Sequence, residues 1–114
     1  MYENIKKEVM IEKHFGCSID DISMNVIISP VWPLSGFMER AESIIKEFKG
    51  WYKGVTMLYK GSPVTVISSG IGAPMTGDCV IALGYSECEN ILFSGSAGAI
   101  NNKLNFGDIL VCSD

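Results

Sequence analysis

Two β-rich runs in this chain end alike. Residues 63–69 run into Ser68-Ser69-Gly70-Ile71-Gly72, and Asn90–Phe93 runs into Ser94-Gly95-Ser96-Ala97-Gly98. Glycine lets a backbone come close to a ligand, and hydroxyls with unpaired N–H groups at such a bend bind an anion or a sugar hydroxyl. Strands that end in such bends, with a helix after the first, belong to an α/β sheet covered by helices. Neither bend fits G-x-G-x-x-G or the P-loop, which disfavours a dinucleotide or nucleoside triphosphate site. Taken singly, each also reads as an ordinary tight turn.

The rest of the chain is read around those bends. Residues 1–13 place Ile5, Val9 and Met10 at helical spacing among charges, as a short N-terminal helix or arm. Met24 to Ser29 is a continuous apolar run, too short for a helix, and reads as a buried strand. Residues 37–48 repeat apolar positions at Phe37, Ala41, Ile44, Ile45 and Phe48 before Gly50, which predicts a helix. Residues 52–59 and 63–69, joined by Lys60-Gly61-Ser62, have the pattern of an antiparallel hairpin. A small-residue helix is expected from about Met75 to Tyr85, and a last strand from Asp108 to Cys112. The expected fold is α/β, a mixed central sheet flanked by helices. The final apolar strand has no helix after it, so residues 1–114 read as a single incomplete domain, the front portion of a larger fold or one that another chain completes.

Composition narrows the function. With 114 residues, 47% hydrophobic and 19% charged, the chain fits one globular domain and excludes disorder. Its apolar runs are broken by Ser29, Pro30 and Pro33 or by Gly95 and Gly98, so no membrane span is expected, and the charged N-terminus lacks a signal peptide's apolar core. Cys17, Cys79, Cys88 and Cys112 have no C-x-x-C spacing and read as buried reduced thiols in a cytoplasmic protein, with no metal. Nine basic residues against 13 acidic ones, with the lysines scattered, leave no footprint for nucleic acid. Arg40 is the only arginine.

In combination the motifs are more specific than any one of them. VTVISSGIGAPMTGDCVIAL, then ILFSGSAGAI, then LNFGDILV, resembles the nucleoside phosphorylase and uridine phosphorylase family, which includes related nucleosidases. Upstream, His14-Phe15-Gly16 and Asp20-Asp21-Ile22 are similar to the opening segment of the uridine phosphorylases. The resemblance covers about residues 14–114 and only the N-terminal portion of a family member.

That resemblance implies a set of ligand contacts. Gly36 and Arg40 fit the spacing of the family's G-D-P-x-R phosphate loop, with Phe37 in place of its aspartate and Val31-Trp32-Pro33-Leu34 inserted ahead. Ser96 falls on the loop hydroxyl that contacts phosphate and ribose. Ser69, Gly70 and Gly72 shape the adjoining nucleoside wall, Ala97 and Gly98 continue the second bend, and His14 matches a histidine that reaches the ribose of a neighbouring subunit. Implied with them are a nucleoside or pentose phosphate as ligand, phosphate as co-substrate without further cofactor, and a homo-oligomer. Two family arginines are missing, replaced by Phe93 and Gly50, and Lys49 and Lys53 nearby are not interchangeable with them.

Plainer readings stand beside these. His14 alone reads as an exposed histidine at a helix end, Arg40 between Glu39 and Glu42 as a solvated ion pair on a helix, and Ser96 as a small residue in a crowded turn. Trp32 and Trp51 read as packing residues, and Trp32 also suits a cover over a pocket or interface. The family reading requires the two bends, at the tips of neighbouring strands, to face a common hollow. Its chemistry is transfer of the pentosyl group from a nucleoside to phosphate, expected to be incomplete in this chain, so that the isolated chain is inactive. Water as acceptor, or a silent binding or assembly module, are the alternatives.

Overall fold

The parallel pairing of the apolar run 24–29 organises the molecule. The computed structural model describes residues 2–96 and 102–111. Five strands, β1 (Asn25–Ser29), β2 (Ser43–Lys49), β3 (Lys53–Tyr59), β4 (Ser62–Ser68) and β5 (Asn90–Phe93), form one mixed sheet in the order β2-β3-β4-β1-β5. β1 pairs parallel with β4 on one side and β5 on the other, while β3 pairs antiparallel with both β2 and β4. A strand with a neighbour on each edge and a layer on each face is apolar on both faces, which is why Val-Ile-Ile does not alternate with polar residues.

Alternation of side chains along the strands divides the core in two. On the front face Val26, Ile28, Phe48 and Ile67 pack with Ile11, Phe15 and Cys17 of the N-terminal segment and with Cys79, Ala82 and Leu83. The helices carrying these contacts are α1 (Tyr2–Phe15) and α3 (Ala73–Leu83). On the back face Val55, Met57 and Val66 pack with Ile27, Leu34, Phe37 and Met38, the last three from α2 (Leu34–Met38). A polar seam crosses the front face. Thr56 Oγ1 donates to the Asp21 carbonyl at 2.5 Å, so the buried Thr65 hydroxyl donates to Thr56 at 2.6 Å and accepts the Ser23 N–H at 2.8 Å.

The hairpin is present, closed by a two-residue turn with Lys60 at φ 48° and Gly61 at φ 80°. Positive φ at both central positions matches the right-handed twist of the flanking strands. Three expectations are corrected. Residues 37–48 are not one helix: α2 ends at Met38, and after a turn the chain forms edge strand β2. The Ile44-Ile45 doublet that suggested a helical stripe is a bulge, since Ile44 pairs with Met57 and Lys46 with Thr56, leaving Ile45 over. Pairing with the open edge of β3 overrides the local helical pattern. Asp108–Val111 carries no regular structure, because among the described residues no strand lies beside it; Asn105 and Asp108 instead close a turn through the Asp108 carboxylate. Cys112 lies outside the described residues. In α1, Ile5 and Val9 are exposed, and the docked face is Ile11, His14 and Phe15, because only the last turns of that helix reach the sheet.

Backbone contact between two glycines seats α1. Gly16 continues the helix end at φ +66°, and a Cβ there would lie 2.0 Å from the Lys49 carbonyl. A Cβ on Gly50 would lie 2.7 Å from the His14 carbonyl and the Phe15 nitrogen. The Tyr52 N–H donates to the same His14 carbonyl at 2.8 Å. A Gly50→Ala variant is expected to lose about 2 to 3 kcal/mol through this overpacking. The urea midpoint measures it; a midpoint equal to wild type would show that α1 does not sit there.

The buried thiols add a pH dependence. Burial, with a smaller contribution from Asp21, pushes the Cys17 thiol from 9.0 up to about 12, and burial pushes Cys79 to about 12. Between those limits the folded chain binds more protons than the unfolded one, so stability is full below about pH 9 and falls as pH rises above it. The urea midpoint is expected to be lower at pH 10.5 than at pH 7.5, and the drop to shrink in Cys17→Ala/Cys79→Ala; an unchanged drop refutes the assignment.

Candidate functional site

Parallel pairing sends β1, β4 and β5 to the same end of the sheet. Ser29 pairs with Ser68, Ile28 with Phe93, and the Ser94 N–H donates to the Ile28 carbonyl at 2.9 Å. Both serine–glycine bends therefore leave the carboxyl ends of the parallel strands, where open α/β sheets bind ligands. Their strands are not neighbours. β1 lies between them, so the bends are about 10 Å apart, two strand spacings.

The first bend is shaped by Gly70 at φ 81° and Gly72 at φ 113°, a region that disfavours any side chain. Gly72 caps α3, its carbonyl accepting from Thr76, and Pro74 begins the helix where no N–H is needed. Ser69 is buried and its hydroxyl donates to the Gly70 carbonyl at 3.0 Å, so it braces the bend. Ile71 stands exposed at the tip. In the second bend Ser96 is exposed and Ser94 half-buried. Ala97 and Gly98 lie outside the described residues.

His14 is at the same end but is not exposed. It is 8% accessible, its Nδ1 lies 2.8 Å from the Met10 carbonyl, and Trp51 packs edge-on against its ring at 4.8 Å. A carbonyl only accepts, so Nδ1 carries the proton in this contact. Trp51 is itself largely exposed and carries the Lys13 ammonium 4.7 Å from its ring centre. Tyr52 is buried, its hydroxyl donating to the Met75 carbonyl in the first turn of α3 at 3.1 Å. Burial first, then Cys79 and Asp78, holds its phenol above the usual range. The turn between β2 and β3 is thus pinned to both front helices beside the first bend.

Arg40 is not brought to the bends. Gly36 is exposed within α2, its N–H donating to the Pro33 carbonyl. Arg40 lies in the turn after α2 rather than on a helix, its N–H donating to Phe37. Two residues on, the Glu42 N–H donates to the Leu58 carbonyl and the Glu42 carboxylate accepts from Gly61, at the hairpin end of β4. That end is about 20 Å from Ser68 along the strand. Among the described residues Arg40 has no ion pair with Glu39 or Glu42. Phe37 packs in the back core.

Sequence reasoning missed the row at the carboxyl edge of the sheet. Lys49 pairs with Lys53, Lys53 with Ser68, and Ser68 with Ser29. The signal was available, since a two-residue turn at Lys60-Gly61 fixes the partner of every residue back along both arms of the hairpin. A separate cavity of about 560 Å³ lies beside α1, lined by Glu8, Glu12, Asp20 and Glu87 among others. It includes no residue of either bend, and four carboxylates oppose an anionic ligand there. Among the described residues no group of three His, Cys, Asp or Glu side chains suits a metal ion, and no helix is long and apolar enough to cross a membrane.

Comparison with known proteins gives one consistent result. The chain is 28% identical to a uridine phosphorylase of Thermococcus kodakarensis over 96% of its own length and 40% of the relative's. It is 32% identical to a purine nucleoside phosphorylase of Mycoplasma genitalium over 88% of the chain and 44% of that protein. Among solved structures it resembles uridine phosphorylase from Vibrio fischeri, with TM-score 0.67 and 26% identity over 79% of this chain and 38% of that one. The purine nucleoside phosphorylase of Toxoplasma gondii superposes with TM-score 0.61 at 26% identity, over 76% of this chain and 36% of that one. The chain thus spans about two-fifths of the length of the relatives it matches. The sheet order, the two bends at one edge and a match of residues 35–114 to the phosphorylase superfamily agree, and the chain belongs to that superfamily.

Proposed function

We propose that this chain is the sugar- and phosphate-side portion of a nucleoside phosphorylase, whose reaction moves a pentosyl group from a nucleoside to phosphate. The observation that carries the reading is the convergence of the Ser69–Gly72 and Ser94–Ser96 bends at the carboxyl edge of the parallel strands. The relatives, uridine and purine nucleoside phosphorylases, support it.

In that reaction the bond from C1′ of the pentose to the base nitrogen breaks while a bond from C1′ to a phosphate oxygen forms. The electron pair of the broken bond leaves with the base, and the pentose passes through a cationic, oxocarbenium-like state. Catalysis then needs donors fixed around the pentose and negative charge held beneath it. Gly70 and Gly72 allow the sugar to approach the backbone, and the exposed Ser96 hydroxyl suits a pentose or phosphate oxygen. The reading includes phosphate as co-substrate with no further cofactor, a homo-oligomer and a cytoplasmic setting.

One observation favours water as the acceptor instead. Phe93, at the position of a family arginine, is 55% exposed at the end of β5 and brings no charge to the second bend. Hydrolysis needs no dianion cage, and phosphate-dependent against phosphate-independent release of base distinguishes the two acceptors.

Binding tests the reading directly. Uridine, inosine and ribose 1-phosphate, added in turn to isotope-labelled chain, are expected to shift the amides of residues 68–72 and 94–96 at millimolar concentration. Ser96→Ala is expected to weaken binding about fivefold, the worth of one hydrogen bond. Shifts confined to other surfaces, or none, refute the proposal and leave an assembly module.

A further inference from the structure

The row at the carboxyl edge of the sheet faces one way. A Cβ on Gly54 would strike the Phe48 ring at 2.3 Å, so Gly54 and Phe48 share the front face and their neighbours Lys53 and Lys49 belong to the back. Lys53 has the parity of Val55, Ser68 that of Val66, and Ser29 that of Ile27, all back-face residues. Ser94 has the parity of Leu92, which pairs with Ile27. Read across β2, β3, β4, β1 and β5, the edge therefore carries Lys49, Lys53, Ser68, Ser29 and Ser94 on one face. It has two cations, three hydroxyls and no carboxylate.

The members of the row are not equally available. Ser29 is fully buried and its hydroxyl is committed to the Trp32 carbonyl at 3.1 Å. Ser68 and Ser94 are half-buried and Lys49 and Lys53 exposed. Lys53 is the cation in register with Ser68, about 5 Å away on the next strand, and Ser68 opens the bend with the positive-φ glycines. Arg40 is held at the far end of β4 by the Glu42 contacts, and a side chain at 50 is excluded by the His14 backbone. Among the described residues of the sheet, the cation in register with the bend is thus a lysine on β3.

We propose that Lys53, paired with Ser68, is the residue of this chain that holds a phosphate group at the carboxyl edge. The inference rests on the nucleoside reading above and adds to it the anion-binding residue. The phosphate is either the inorganic co-substrate or the ester of a pentose 1-phosphate, the same chemistry in both. An ammonium on a flexible stem suits this position, because it contacts phosphate as a point charge and needs no fork geometry.

The test is an amide-shift titration of the full chain at low ionic strength, first with inorganic phosphate and then with ribose 1-phosphate, alongside uridine. Phosphate is expected to shift residues 53 and 68–70. Lys53→Gln is expected to weaken it about fivefold, the effect of one exposed charge contact, and Lys53→Arg to restore it. Lys60→Gln, the same charge change at the hairpin turn, and Arg40→Gln are expected to leave the affinity within about twofold. Equal losses in Lys53→Gln and Lys60→Gln reduce the effect to net charge and overturn the proposal. So does a loss confined to Arg40→Gln. Uridine shifts without phosphate shifts refute Lys53 alone, whereas silence with every ligand removes the nucleoside reading and this inference together. If only ribose 1-phosphate senses Lys53→Gln, the group held is the ester.

Discussion

The candidate site depends on β1 being hydrogen-bonded in parallel to strands that come much later in sequence. Parallel neighbours must be joined by crossovers, and crossovers bring each strand back to start at the same edge and finish at the same edge. That constraint, rather than any side chain, delivers the bends after β4 and β5 to one rim. Had either strand paired antiparallel with β1, its serines and glycines would open at opposite ends of the sheet and share no ligand. The apolar character of Val26-Ile27-Ile28 is what makes the pairing obligatory, because both faces and both edges of that strand are covered.

The antiparallel wing has a different part. β2 and β3 bring a turn back to the rim, and the turn is fixed from two sides, by the His14 carbonyl and by the Tyr52 hydroxyl on α3. Those contacts explain Gly50 in physical terms. α1 sits so close to residue 50 that any side chain there would displace the helix, and an arginine at that position is incompatible with this docking. The glycine at position 50 and the tight seating of α1 are one structural fact seen from two sides.

The legible parts of the sequence were those encoded locally. Serine and glycine after a β-rich run announced both bends, and Lys60-Gly61 announced the hairpin, because positive φ has few residue types to choose from. Residues 37–48 misled because an Ile-Ile doublet satisfies a helical period as readily as it fills a bulge, and only the unpaired edge of β3 decides between them. Asp108–Val111 has the composition of a strand, but among the described residues there is no strand for it to pair with. His14 read as exposed because the aromatic group that covers it, Trp51, comes from a turn 37 residues away. At the site, the bends were evident but their separation by β1 was not, since strand order is not written in any single segment.

A lysine and an arginine ask different things of a phosphate. Arginine fixes two oxygens at once and so sets the orientation of the group beneath a reacting carbon, while an exposed lysine sets charge with little geometry. On the proposed reading, an edge supplied by Lys53 and hydroxyls attracts the anion without orienting it, and orientation falls to the bend that Gly70 and Gly72 shape. That reading divides the labour between the two wings: the antiparallel wing would provide charge and the parallel triplet geometry. It also sets a salt dependence, because an exposed ammonium is screened over about 8 Å at physiological ionic strength whereas a backbone donor in a bend is not. On that reading anion affinity at this edge falls with salt, while affinity for an uncharged pentose at the glycine-shaped backbone does not.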